Sequence, residues 1–214
     1  MPELTDADIL EFTTNILTIE ETEAIVVALT TDDPWAHKDF DEPIKSLLVS
    51  VKNKIKAFHL ERVSDSCCYC SRSLKDASIE TDREHIVPKG EKKSLTYNIF
   101  NLSVACKRCN MTYKNTKTDH ITNLDSIEAN LKDPGSYLIP HPNIDTYSDH
   151  LKRVALKVDT HELTAYGRKT DKGRYLFDFV QLQMLCVDTL DVAQGGKSLD
   201  EAMALFFEKV TQDV

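Results

Sequence analysis

The chain has 214 residues, 26 of them Lys or Arg and 35 Asp or Glu, for a formal net charge of −9. That length allows one medium domain, or a small catalytic module between helical flanks, to bury a hydrophobic core, and the negative balance excludes a surface coated in positive charge for wrapping a duplex. No stretch approaches the roughly 18 uninterrupted apolar residues of a membrane span, and the acidic, Thr-rich start lacks the basic and apolar regions of a signal peptide, so a soluble, cytoplasmic protein is expected.

Thr5 caps an amphipathic helix reaching Leu17, with Ile9, Leu10, Phe12, Ile16 and Leu17 as its apolar positions. A second short helix is expected near Glu21 to Leu29. Asp32, Asp33 and Pro34 break the pattern, with Trp35 in the turn, before Pro43 opens a longer helix whose inner face is Ile44, Leu47, Leu48, Val51, Ile55 and Phe58. Residues 1–63 thus read as a helical N-terminal region.

From Ser64 to about Thr118 the helical period disappears, and short polar runs alternate with cysteine pairs and the turn Pro88-Lys89-Gly90. Residues 64–120 read as the chemical module. Of six cysteines, Cys67, Cys70, Cys106 and Cys109 form two C-x-x-C pairs, which in a non-secreted chain point to metal ligation before disulfides. Each pair sets two thiolates one tight turn apart, at two corners of a tetrahedron around Zn²⁺, and two pairs close the site. Four thiolates leave no open position, so the zinc is structural. Spacing favours Cys67 over Cys68, with a Cys68 and Cys70 pairing as the other register. Cys68 and Cys186 otherwise read as small packed hydrophobes. From Arg83 to Lys117 there are eight basic residues against Glu84 and Glu91, a net +6, which leaves −15 for the rest of the chain.

Beyond the module, Pro134, Gly135, Pro140 and Pro142 mark a loop-rich bridge, and Val154, Leu156 and Val158 alternate as a strand that pairs with Glu162 to Tyr166. One helical stripe follows in Leu176, Phe179, Val180, Met184 and Val187. Another, after Gly195-Gly196, runs through Leu199, Ala202, Met203, Phe206 and Val210. Residues 121–214 form a C-terminal region with a strand pair and two helices. His37, His59, His120, His150 and His161 stand at no ligand spacing and are expected to be polar surface residues.

The succession C-x-x-C, Glu84-His85-Ile86-Val87-Pro88, Asn101-Leu102 and Cys106-x-x-Cys109-Asn110 with a following Lys resembles the cysteine-containing HNH endonucleases. The resemblance implies an α+β fold in which helical flanks surround a small ββα-metal module stapled by the four-cysteine zinc. It implies phosphodiester hydrolysis in DNA, with His85 as general base, Glu84 and Asn110 holding Mg²⁺ or Mn²⁺, and Asn101 bridging the loop that orients His85. Arg108, Lys114 and Lys117 would contact phosphates. The chain departs from the common pattern in having Glu84 where many members have Asp, Asn110 in place of His, and one extra residue between Asn110 and Lys114.

Tyr137 to Asp145, with the strand pair and the helix from about Lys172, is similar to the region after the knuckle in HNH proteins of bacterial anti-phage systems. Some of these pair with an ATPase, as in the Septu system and certain retrons, which implies an ATPase subunit docked on the acidic flanks. His141 and Asp145 either flank a nucleic-acid groove or form a turn held by packing. The readings that compete with a nuclease are a zinc-stabilised nucleic-acid-binding module and a partner-binding scaffold, and they differ in what His85 is for.

Overall fold

Thr5 and Thr18 start the first two helices by the same device: each side chain accepts from the backbone N–H three residues on, while Asp8 and Glu21 reach back to the threonine N–H. This reciprocal capping satisfies two donors that a helix start leaves open. The computed structural model describes residues 3–75, 80–158 and 161–188. In it α1 (Asp6–Glu11) widens into a π-helical turn over Phe12–Ile16, and α2 (Ile19–Leu29) and α3 (Ile44–Arg62) follow. The expected inner face of α3 is the buried one. Leu48, Val51 and Ile55 pack with Phe12, Ala24, Ala28 and Leu102, so the N-terminal helices form one layer over the strand that carries Leu102.

That strand, β2 (Leu102–Cys106), is buried along its whole length and pairs antiparallel with β1 (Thr81–His85), setting Thr81 opposite Cys106 and His85 opposite Leu102. The contrast follows from composition. An apolar run such as LSVAC can be covered on both faces, whereas TDREH cannot, and among the described residues β1 pairs with β2 alone. A short helix, Arg108–Lys114, completes a strand, strand, helix unit.

After an irregular stretch, α4 (Tyr147–His150) leads into β3 (Leu151–Val158), β4 (His161–Arg168) and α5 (Asp171–Phe179), with β5 (Val187–Asp188) on the far side of β4. α5 begins so close to α4 that a Cβ at Gly173 would lie 2.1 Å from the His150 carbonyl oxygen, a place only glycine fits. The strand pair is where alternation puts it, but its inward side differs: Leu151, Thr164 and Tyr166 are buried while Val154 is 45% exposed. The stripe expected to run on to Val187 stops earlier, because Gln181 adopts a left-handed conformation (φ 47°) that turns the chain and leaves Met184 exposed. The stripe from Leu199 to Val210 and the side chain of His161 lie outside the described residues.

Two histidines expected at the surface are instead completely buried. His59 and His120 each place Nε2 against a backbone carbonyl, Ile99 at 3.1 Å and Ile86 at 2.9 Å, so each supplies a donor inside the protein. Cys186 is exposed where packing was expected. Among the described residues no helix is long and apolar enough to cross a membrane.

Candidate active site

The four sulfurs of Cys67, Cys70, Cys106 and Cys109 all lie within 4.8 Å of one another and all four residues are buried. Cys68 stands outside the group, donating its backbone N–H to Val104. Cys70 Sγ and Cys106 Sγ are 3.8 Å apart, close to the separation of two corners of a tetrahedron with Zn–S near 2.3 Å. The donor set and spacing therefore fit a structural zinc site. The C-terminal region braces it: Tyr166 donates its hydroxyl to the Cys70 carbonyl and Tyr147 to the Tyr69 carbonyl.

The knuckle reaches the strand through Tyr69, whose hydroxyl donates to Glu84 Oε1 at 3.0 Å. Glu84 is fully buried. Lys114, also buried, sets its ammonium 3.1 Å from the same oxygen and donates to the His85 carbonyl at 2.5 Å. Burial raises the Glu84 carboxyl above its ordinary range, while Lys114 and Tyr69 oppose that shift. Among the described residues Glu84 Oε2 has no hydrogen-bond partner. An orphaned, buried carboxylate oxygen is a good site for a hard cation, so Glu84 fits the role of holding a divalent ion.

His85 ends β1 and leans into an open recess of about 340 Å³ whose wall includes Trp35, Arg83, Lys89, Asn110, Met111 and Lys114. Its Nε2 lies 3.0 Å from the Thr96 carbonyl. A carbonyl only accepts, so Nε2 carries the proton and Nδ1 is the basic nitrogen of the neutral ring. Burial lowers the imidazole to about 4, with Lys114, Lys89 and Lys52 adding to the shift and the Thr96 carbonyl opposing it. Trp35 meets the ring edge to face at 4.6 Å.

Asn101 brackets the loop after His85. Its Oδ1 accepts from Val87 N–H at 2.8 Å and its Nδ2 donates to the Val87 and Leu95 carbonyls, while its own carbonyl accepts from Ile86 N–H. One side chain thereby fixes both backbone polar groups of a single residue, Val87. The Arg108–Lys114 helix is π-wound, with Asn115 N–H donating to the Asn110 carbonyl five residues back. A π turn accommodates one more residue than an α turn. The extra residue between Asn110 and Lys114 is absorbed in this way, and both side chains reach the recess.

Arg108 and Lys117 do not line the recess. Arg108 donates to the Val180 and Gln181 carbonyls and lies over Tyr113, and Lys117 lies over Phe179, so both cations hold the end of α5. His141 is fully buried against Phe100 and Tyr137, and its Nδ1 accepts from Asn143 N–H. Asp145 accepts from His141 N–H and Lys172. The His-Pro turn is therefore an internal clamp, from which Asn143 Nδ2 reaches the Phe100 and Leu102 carbonyls beside Asn101.

Trp35, Arg83 and Lys89 are among the recess residues that spacing did not single out. Lys89 had a faint signal in its Pro-Lys-Gly turn. Trp35 had none, since it arrives from a distant segment tied down by Asp33 to Lys89, by Tyr97 to the Pro34 carbonyl and by Lys52 to its own carbonyl.

Residues 67–116 match the family model described as HNH endonuclease. The chain is also 34% identical over 134 residues to the Septu protein PtuB of Bacillus thuringiensis; the aligned region is 63% of this chain and 43% of that protein. It thus spans less than half the length of the curated relative. Two cysteine pairs around one buried thiolate cluster, a histidine at the end of β1 and an asparagine in the helix that follows β2 lie within the matched residues. Over residues 67–116 this chain is similar to HNH endonucleases.

Proposed function

We propose that this protein hydrolyses phosphodiester bonds in DNA, with His85 as the general base and Glu84 and Asn110 holding a divalent cation, Mg²⁺ or Mn²⁺. The observation that carries the proposal is the neutral imidazole at the recess wall, its Nε2 anchored to the Thr96 carbonyl and Nδ1 left to accept a proton. The cation would neutralise the scissile phosphate and the leaving 3′ oxygen. His85 takes a proton from the attacking water at Nδ1. Asn101 keeps its loop in register, and Trp35 fixes the ring against rotation. Arg83, Lys89 and Lys114 are cations of the recess wall, Lys89 paired with Asp33 and Lys114 with Glu84, which among the described residues leaves Arg83 as the one of the three without a carboxylate partner to meet a phosphodiester backbone.

The likeness to PtuB supports a role in anti-phage defence with an ATPase partner. The −15 of the remaining chain makes unaided grip on long DNA poor and suits delivery or restraint by another subunit. The deciding experiment incubates supercoiled plasmid and single-stranded DNA with the protein and Mg²⁺ or Mn²⁺ beside His85→Ala. We expect nicking by the wild type and a loss of roughly 10²–10⁴-fold in the variant, with zinc content unchanged. Undiminished cutting by His85→Ala removes the histidine from the reaction.

A further inference from the structure

Successive side chains of a strand point to opposite faces, so Asp82 and Glu84 share one face of β1 and Arg83 and His85 the other. The Arg108–Lys114 helix lies over the acidic face. Glu84 meets Lys114 there, and Asp82 meets Asn110, whose Nδ2 is 3.5 Å from Asp82 Oδ2. Other cations act on Asp82 as well: Lys107, itself paired with Glu80, and Lys56 and Arg83, which donate to neutral oxygens. The ground for a cation is therefore geometric: among the described residues Glu84 Oε2 has no hydrogen-bond partner, and it lies on the face of β1 that Asp82 shares. Burial in such a place is costly without a cation.

The Asp82 to Asn110 contact is long for a hydrogen bond. An amide can present its oxygen in place of its nitrogen by a half-turn about its last bond, since the two ends are equal in shape. Turned so, Asn110 would join two carboxylates as a third oxygen donor, the hard set that Mg²⁺ and Mn²⁺ select, with water filling the remaining positions. We propose that Asp82 is a third protein ligand of the divalent cation, beside Glu84 and Asn110. This rests on the divalent-ion reading above and extends it to a residue on which that reading makes no demand. Two carboxylates at alternate positions before His85 also compensate for the longer, more deeply buried Glu84, because Asp82 is the more accessible of the two.

The test is Mn²⁺ binding to the full, zinc-loaded chain, followed by the paramagnetic signal of free Mn²⁺. Wild type, Asp82→Asn, Glu84→Gln and Glu80→Gln are compared, with zinc content and thermal melting recorded for each. We expect Asp82→Asn to bind Mn²⁺ at least about tenfold more weakly while keeping its zinc and its melting temperature. Glu80→Gln, which removes an exposed neighbouring charge, should stay within about twofold of wild type. Wild-type affinity in Asp82→Asn overturns the assignment. If Glu84→Gln loses Mn²⁺ at the same time, the function proposed above survives and only Asp82 falls. Weakening in Glu80→Gln equal to that in Asp82→Asn reduces the effect to general electrostatics and also overturns it. Absence of Mn²⁺ binding in the wild type removes both readings together.

Discussion

The thiolate cluster and the recess beside His85 are built on the same two strands, at opposite ends of one ladder: Cys106 closes β2 where it faces Thr81, and His85 closes β1 where it faces Leu102. Their construction differs. The cluster draws every donor from two short sequence pairs, is buried throughout and leaves nothing open. The recess takes His85, Asn110 and Lys114 from the same module but borrows its aromatic wall from Trp35, and the loop behind it is pinned by Asn143. A frame tolerates closure because its only task is to hold position. The other site gathers groups in conflict with their surroundings, a buried carboxylate, a buried ammonium and a neutral imidazole, which are held by one another, by Tyr69 and the Thr96 carbonyl, and by Trp35 from outside the module.

The comparison breaks first at the frame. Cys106→Ser removes a donor from a site whose apparent binding free energy is on the order of 10 kcal/mol. We expect loss of zinc and of the cooperative melting transition, measured by metal analysis and circular dichroism. A folded variant with one zinc per chain would show that the frame does not depend on the cluster. Lys114→Met probes the recess: it leaves Glu84 buried without its cation, at a cost of about 3–5 kcal/mol, read from the denaturant midpoint. The double variant with Glu84→Gln should recover most of that loss, and additivity of the two changes would mean that the pair is not coupled.

A smaller effect comes from pH. Burial lowers both His59 and His120 from 6.5 to about 3. The unfolded chain therefore binds protons that the folded chain refuses, and the stability these residues contribute is complete above pH 6.5 and is lost as pH falls toward 3. The slope is about 1.4 kcal/mol per pH unit for each histidine at most. Urea midpoints at pH 7 and pH 5 measure it, and equal midpoints would mean that neither ring is buried neutral.

The frame was the part most legible in the sequence, because a C-x-x-C pair is a local statement about reach, and the caps at Thr5 and Thr18 and the inner face of α3 are local in the same sense. His85, Asn101 and Asn110 could be singled out only through the family pattern. What their neighbours do was not legible. Arg108 and Lys117 look like phosphate ligands by charge and position, yet their partners are carbonyls and a ring 62 to 73 residues away at the end of α5. His59 and His120 serve loop carbonyls that no spacing rule registers. The exposure of Val154 turns on which face of the hairpin α5 covers, a tertiary fact that alternation alone does not contain. The extra residue before Lys114 was visible, but its meaning depended on the backbone choosing a π turn.

Trp35 is the one tryptophan in the sequence, and it stands at van der Waals range from the imidazole, with the Lys52 ammonium 4.5 Å from its ring centroid. The indole fluorescence of the whole protein thus originates at the recess. Its emission wavelength will report the polarity of that wall, and quenching by a paramagnetic ion or by a stacked nucleobase will report occupancy in the unlabelled chain.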